Sequence, residues 1–458
     1  MPSKAPLARR LARQILDPGF RPPVAAVEKL KICLLDFFAC ALEARDLPWS
    51  RQAAGLGARD QGPAHIVGTA QRSSVLQAAF ANAVAGHGLV REDMHAGSVS
   101  HLGVVVLPSL LALSESRKIT GPAFIAAAVV GYEMGAKLGR ALVTPGFARL
   151  FRPTGFTGPL AGAAAGSRLL GLSEAACASA LALAANTVSG LNQWPHSGGA
   201  EMFFHPGFAA RNALTAVELA AAGADAAADA LDGEAGLFAA FRPGSPAPDI
   251  ELFTGAAPEL LEVYNKPVPA CNFAQTPCQA ALALVREGGL KMDGIRAIRV
   301  RASEAAVRYP GCDHAGPFER ALQAKMSIQF GVAAALLHGS VEEANYRLLD
   351  DPEILRLAGL MTLEADPGFT AAFPAAQGAS VEIELGDGRV LSQRIADVIP
   401  ATPEQVRSRL RAAAGAALGE DKAAAIERFT DRLEEADDVG LLPALTALSP
   451  TDNIRRIS

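Results

Sequence analysis

The chain has 458 residues, of which 50% are hydrophobic, 19% charged and only 6% aromatic, with a net charge of −5. That length suits one large core with a satellite, or two to three domains, and the mild acidity lacks the basic footprint of a nucleic-acid or acidic-membrane binder. Six cysteines (Cys33, Cys40, Cys177, Cys271, Cys278 and Cys312) form no CxxC pair, which points to reduced thiols rather than a disulfide scaffold, an iron–sulfur cluster or a structural zinc.

The first 20 residues, MPSKAPLARRLARQILDPGF, are basic and amphipathic, and Pro18 ends them with no signal-peptide core behind. No run of about 20 apolar residues escapes a charge, Gly or Pro. The nearest, 158–190, contains Arg168 and Glu174, so a soluble, cytoplasmic protein without a membrane span is expected. Apolar stripes near helical spacing predict helices over 7–16, 24–43, 74–86, 121–140, 158–170, 173–189 and 209–222. Ser173 is a natural N-cap, and small residues on 158–170 and 173–189 predict a closely packed antiparallel pair.

The texture changes near Tyr264. IRAIRVRA at 295–302 alternates as a half-buried strand does, and 379–385 and 389–394 flank Gly386-Asp387-Gly388 like a β-hairpin. Helices are expected at 322–337 and 342–357, and the tail, 402–448, reads as charged amphipathic helix that packs back on the first part. The fold class expected is therefore mostly α. A helical domain at 1–264, with 398–458 returning to it, carries a smaller α+β domain at 265–397.

Residues 86–108, GHGLVREDMHAGSVSHLGVVVLP, hold three of the eight histidines, His87, His95 and His101, around Glu92 and Asp93. Imidazoles and carboxylates in a Gly- and Ser-bearing loop between apolar walls suit general acid–base chemistry. They equally suit a polar loop that caps helices, and the absence of a second ligand cluster disfavours a metal on Asp93, His95 and His101. Arg152, in FRPTGFTG at 151–158, stands at a helix start where an arginine and backbone N–H groups can receive a carboxylate or phosphate. His205 and Arg211 surround another helix start. Nine of the 42 basic residues are lysine, and Lys266 and Lys325 sit in apolar settings, where desolvation lowers an ammonium pKa and an anion can be anchored. The absence of GxGxxG, P-loop and GxSxG motifs removes dinucleotide and serine-hydrolase chemistry.

Several segments, in this order and spacing, resemble the MmgE/PrpD family: Val67-Gly68-Thr69, Asn82 with His87, Glu92-Asp93 with His95 and His101, Gly131-Tyr132-Glu133, His205-Pro206-Gly207 with Arg211, Lys266-Pro267 with Cys271, and Ala324-Lys325-Met326-Ser327. The resemblance implies a large helical domain built from both chain ends with an inserted α+β lid, a homodimer, no metal or organic cofactor, and a site in the cleft. It implies proton abstraction beside a carboxylate of a small di- or tricarboxylic acid, followed by loss of water, loss of CO2 or reprotonation on the other face.

Carried over by position, Asp93, His95, His101 and Lys266 become catalytic candidates, and Arg152, His205, Gln275 and Lys325 substrate-binding ones. Arg152, Met202 and Ala274-Gln275 depart from the histidine, lysine and Asn-His of the family pattern. Fewer proton carriers then remain, which suits a different polycarboxylate or a simpler one-base reaction. Water loss is the first expectation, with His101 as base, Asp93 orienting an imidazole and His95 as the acid. Epimerisation or decarboxylation is the alternative, and a catalytically silent carboxylate binder the rival class.

Overall fold

The computed structural model describes residues 5–255 and 257–448. The fold is mostly α, and no helix among the described residues is long and apolar enough to cross a membrane. Helices run over Leu7–Ile15, Val24–Ala44, Val75–His87, Gly121–Leu142, Pro153–Leu169, Glu174–Ala185 and His205–Ala221, close to the spans read from periodicity. A further helix, Gly103–Ser116, escaped that reading. Its residues 103–114 are all buried, so it has no polar face and hence no helical period to detect.

Glycine spacing sets how closely these helices approach. On Pro153–Leu169, Gly158, Gly162 and Gly166 lie four residues apart and face Ala209, Ala213 and Val217 of His205–Ala221. A Cβ on any of the three would stand 2.7–3.1 Å from those side chains. Gly131 and Gly135 of Gly121–Leu142 meet Ala165 and Ala161 in the same way, at 2.9 Å each. The expected partnership of this helix with Glu174–Ala185 forms as well, but its glycines serve two other neighbours. Spacing of four along one helix marks a shared face without saying which helix fills it.

The largest sheet among the described residues has four strands in the order Met361–Ala365, Ile295–Ala302, Ala379–Leu385, Val390–Ile395. The first pair is parallel and the other two antiparallel. The expected hairpin closes around Gly388 at φ +86°, a conformation that glycine takes without steric cost. The alternation of Ile295–Ala302 slips at a bulge between Ile295 and Ala297, and Ile298, Val300 and Ala302 then face the core. Helix Gln275–Glu287 packs on the two hairpin strands, with Ile328–His338 against it. Two long helices expected here are each broken. Ser327 ends Ala321–Met326 and caps Ile328–His338 through Phe330 N, and Asp351-Pro352 starts Pro352–Gly359 after a 3₁₀ turn at Glu343–Arg347.

The tail helices Pro403–Leu418 and Glu420–Asp431 return to the helical body, both against Val24–Ala44. Backbone bonds from Gly121 N to Ala436 O (2.7 Å) and from Val439 N to Ile119 O (2.8 Å) pin the segment that follows. A Cβ at Gly121 would lie 1.6 Å from Leu433 O, a backbone atom that no rotamer change can move. Gly121→Ala is therefore expected to lower unfolding free energy by about 3 kcal/mol, the upper part of the usual overpacking range, measured by urea denaturation. A loss under about 0.5 kcal/mol, within surface-substitution range, would show that the tail is not held this way.

Candidate active site

The histidine-bearing loop follows the Val75–His87 helix and precedes Gly103–Ser116. Residues 88–95 are all buried, and Met94–His95 pairs antiparallel with Val263–Tyr264. Val90 and Val99 both have positive φ, 58° and 51°, a costly state for β-branched residues that the surroundings must hold. Around Val90 the hold comes from the sheet-bearing part, with Glu43 of the Val24–Ala44 helix added. Lys325 Nζ donates to Leu89 O (3.2 Å), Lys266 Nζ donates to Val90 O, and Arg91 pairs with Glu342 and, at 3.4 Å, with Glu43.

The residue after Arg91 carries the centre of the site. One oxygen of Glu92, Oε1, lies 2.5 Å from His87 Nδ1 and 2.7 Å from His101 Nδ1. His101 Nδ1 is also 3.1 Å from Asp93 O. With two oxygen acceptors around it, that nitrogen carries the proton, and Nε2 is left as an unprotonated lone pair. Nε2 meets no hydrogen-bond partner among the described residues. His87 Nε2 accepts from Arg152 Nη2 at 2.8 Å and lies 2.9 Å from Met202 Sδ, so its proton too sits on Nδ1.

Burial pushes the His101 imidazole down to about 3 against the pull of Glu92, and lowers His87 likewise. Burial pushes the Glu92 carboxyl up, but the two imidazoles outweigh it and hold it well below the usual range. The site at neutral pH is thus a carboxylate between two neutral rings. The same three ligand atoms are near enough for a metal ion, lying within 4.8 Å of one another. Separations of 2.5 and 2.7 Å are hydrogen-bond lengths, however, and an ion about 2.0–2.1 Å from each atom would have to spread them.

Two cations stand beside this carboxylate. Arg152 caps Pro153–Leu169, is stacked 5.6 Å from the Trp194 ring centroid, and has a buried Nε with no partner. No carboxylate pairs with it among the described residues, and burial lowers its pKa. Lys266 is fully buried, and burial, partly offset by Glu92, brings it to about 8.

The cavity next to them is lined by His101, Arg152, Thr154, Cys271, Asn272 and Tyr309 among polar residues, and by Val90, Met94, Val99, Pro153, Phe273 and Met326. Its free volume is about 30 Å³. Residues 90–154 of its wall come from the helical body and 271–326 from the sheet-bearing part.

Of the residues singled out by sequence, His101 and Arg152 reach this wall. Lys266 stands one layer behind, on Val90. His205 is behind Arg152 across Gly190, its Nδ1 buried and unpartnered, and burial followed by the Arg152 charge takes it to about 3. Four others are engaged elsewhere. Asp93 turns inward to Tyr132 OH and Gly103 N, so Glu92, not Asp93, orients the imidazoles. His95 Nδ1 accepts from Ser98 N, and its Nε2 donates to Glu259 at 3.0 Å, inside a cluster with Lys137 and Arg140. Gln275 spends its amide on Val268, Ala270 and Cys271 backbone, which shapes the loop rather than a ligand. Lys325 is bound to Glu343 and stacked on Tyr346 at 4.2 Å.

Sequence reasoning missed His87 and Glu92 as partners, and Cys271 and Tyr309 as wall residues. The i, i+5 spacing of His87 and Glu92 across a helix end was the available sign.

The sequence matches the MmgE/PrpD N-terminal domain over residues 9–249 and the MmgE/PrpD C-terminal domain over residues 268–435. Over 448 residues, 91% of each chain, it is 26% identical to a cis-aconitate decarboxylase of Aspergillus terreus. It is 28% identical to the cis-aconitate decarboxylase-like protein oryM of Aspergillus oryzae over 92% of this chain and 93% of that one. With the cis-aconitate decarboxylase of Homo sapiens it shares 28% identity over 80% of this chain and 78% of the human one.

Long-range ¹⁵N NMR at pH 7 is expected to show both His87 and His101 as Nδ1–H tautomers. Glu92→Leu removes the shared acceptor, and is expected to mix the His101 tautomers and cost about 1–3 kcal/mol of stability for a buried N–H left unpaired. An Nε2–H signal for His101 in the unaltered protein would contradict the arrangement.

Proposed function

The chain belongs to the MmgE/PrpD family, and from that footing we propose that it is a lyase that releases one carboxylate of a small di- or tricarboxylic acid as CO2. The observation that carries this is the cavity wall itself. Among the described residues its single imidazole is His101, whose free Nε2 shares the wall with an arginine that has no carboxylate partner. Arginine cannot exchange protons near neutral pH, but it grips a carboxylate through two N–H groups. One imidazole beside a carboxylate clamp suits a reaction that takes up one proton.

The steps balance as R–CO2⁻ + H⁺ → R–H + CO2. Arg152, with the Lys266 charge behind Val90, anchors the carboxylates that stay. The departing carboxylate meets Val90, Val99, Phe273 and Met326, and apolar surroundings favour loss of its charge as CO2. The C–C electron pair passes to the substrate carbon skeleton, where carbon takes a proton from His101 Nε2. Arrival of a polyanion raises the His101 pKa, so the ring enters the step as imidazolium with Glu92 stabilising it. His87 relays the Arg152 charge to the same carboxylate and keeps Glu92 in place.

Water loss, the first expectation from sequence, has less support. It needs a second proton carrier, and His95, assigned that task, is committed to Ser98 and Glu259. The relatives named cis-aconitate decarboxylase favour the same choice. A cavity of about 30 Å³ is far under the roughly 300 Å³ at which ligand pockets begin. Because its wall is divided between the helical body and the sheet-bearing part, we take substrate entry to involve movement of one against the other, as lids move in other enzymes.

Incubation with a panel of polycarboxylates, with cis-aconitate as reference, is expected to release CO2 in step with a decarboxylated acid seen by NMR. An alkene formed without CO2, or deuterium wash-in without net product, would replace decarboxylation by dehydration or epimerisation. His101→Ala should lower kcat by about 10²–10⁴-fold, the usual share of a proton-transfer group, with unchanged circular dichroism.

The pH dependence follows from Lys266. Its ammonium is charged below about 8 and neutral above, so KM for a tricarboxylate should rise by roughly tenfold, about 1.4 kcal/mol, between pH 7 and 9.5. Lys266→Met should begin with the high KM and lose that rise. A KM independent of pH in the unaltered protein would remove Lys266 from anion binding.

A further inference from the structure

All six cysteines are buried and free, and two of them meet. Cys271 Sγ lies 3.6 Å from Cys312 Sγ, a thiol-to-thiol contact between residues 41 apart in sequence. Cys271 also forms part of the substrate cavity wall. It therefore combines a nearby second sulfur with a route for a small reagent. Its surroundings stabilise a thiolate. The Cys312 thiol donates to it, the Phe273 amide points at it, and the Lys266 and Arg152 charges are close; together these outweigh burial and bring its pKa below the ordinary thiol value. The other cysteines contrast with it. Burial raises the pKa of Cys33, Cys40, Cys177 and Cys278, and none of the four lines the cavity. Thiolate character together with access is what selects a cysteine for oxidation.

We propose that Cys271 and Cys312 are a peroxide-reactive dithiol, in which Cys271 is oxidised by a small hydroperoxide entering the substrate cavity and Cys312 resolves it to a disulfide. Cys271 thiolate attacks the near peroxide oxygen. The S–O bond forms, the O–O bond breaks, and the distal oxygen leaves as hydroxide (an alkoxide for an organic hydroperoxide) and takes a proton. Cys312, giving up its proton, then attacks the sulfenic sulfur. The S–S bond forms, and the remaining oxygen leaves as water. For hydrogen peroxide the sum is two thiols and H2O2 to one disulfide and two waters, with the sulfurs oxidised by two electrons and the peroxide reduced.

The bond has a consequence for the cavity. It draws the sulfurs from 3.6 Å to about 2.05 Å. Cys271 and Tyr309, the latter three residues before Cys312, both lie on the wall. Oxidation thus redraws the surface against which a substrate packs. The wall residues Arg152, Thr154 and His101 belong to the opposite, helical part. Transient disulfides of this kind are the form in which cytosolic thiol pairs sense oxidants.

The test uses the full chain treated with one equivalent of hydrogen peroxide, quenched with N-ethylmaleimide and mapped by mass spectrometry. A Cys271–Cys312 disulfide is expected, with Cys33, Cys40, Cys177 and Cys278 alkylated and the link abolished by dithiothreitol. Cys312→Ser is expected to fold, to form no disulfide, and to yield a dimedone adduct on Cys271. Citrate in large excess is expected to slow oxidation of Cys271 several-fold, because Cys271 lies on the cavity wall. Oxidation is expected to reduce turnover of the panel acid at least tenfold, and dithiothreitol to restore it. Six alkylated cysteines after peroxide, a link between any other pair, or a Cys312→Ser protein in which Cys271 takes no dimedone would overturn the proposal. Because the peptide map needs no turnover, its failure is distinct from failure of the decarboxylase assignment.

Discussion

Glu92 is sealed from water, and through one oxygen it accepts an N–H from each of two neutral imidazoles, with Arg152 and Lys266 close by. A carboxylate in that position is costly to desolvate unless hydrogen bonds and opposite charge surround it. Each neighbour is accordingly fixed in a particular state. His87 and His101 must carry their protons on Nδ1, which frees His101 Nε2 toward the cavity. Arg152 is held against His87 Nε2 while its Nε stays without a partner among the described residues. The charge balance of the site, two cations against one carboxylate, centres on this single group.

Holding Glu92 there is the task of both halves of the molecule. Leu89, Val90 and Arg91 are grasped in succession by Lys325, Lys266 and Glu342 of the sheet-bearing part. Val90 rests in a left-handed conformation that an isolated β-branched residue avoids. The helical body supplies the opposite wall, because the glycine faces of Gly121–Leu142 and Pro153–Leu169 let helices approach closely enough to seat Thr154 against His101 N at 3.0 Å. Separation of the two halves would both open the cavity and release the loop. Access to the cavity and the placement of His101 are thus mechanically linked.

The departures from the family pattern converge in space to an unequal degree. Arg152 and Met202, far apart in sequence, touch the same nitrogen of His87, so one imidazole reports on both exchanges. Gln275, the third, instead braces backbone from Val268 to Cys271. It supports the loop that carries the Cys271 thiol.

Most helices, the hairpin and the concentration of chemistry in residues 86–108 were determined by the sequence alone, because periodicity, turn residues and capping side chains act within a few residues of themselves. The breaks at Ser327 and Asp351, and the unpatterned Gly103–Ser116, were less legible, since local signals weaken when every face of a helix is buried. Which of two adjacent carboxylates meets the imidazoles could not be read at all. Glu92 and Asp93 differ by one residue of backbone direction, and only the packed loop turns Glu92 to His87 and His101 while sending Asp93 to Tyr132. The same holds for Lys266 and Lys325, which looked alike as ammoniums in apolar sequence. One lies behind the cavity wall and the other on Glu343, a distinction set by contacts between residues far apart in the chain. The sequence determined which groups exist and roughly where they cluster. Tertiary structure decided which of them share water, charge and a cavity, because desolvation and hydrogen-bond geometry depend on neighbours that only folding brings together.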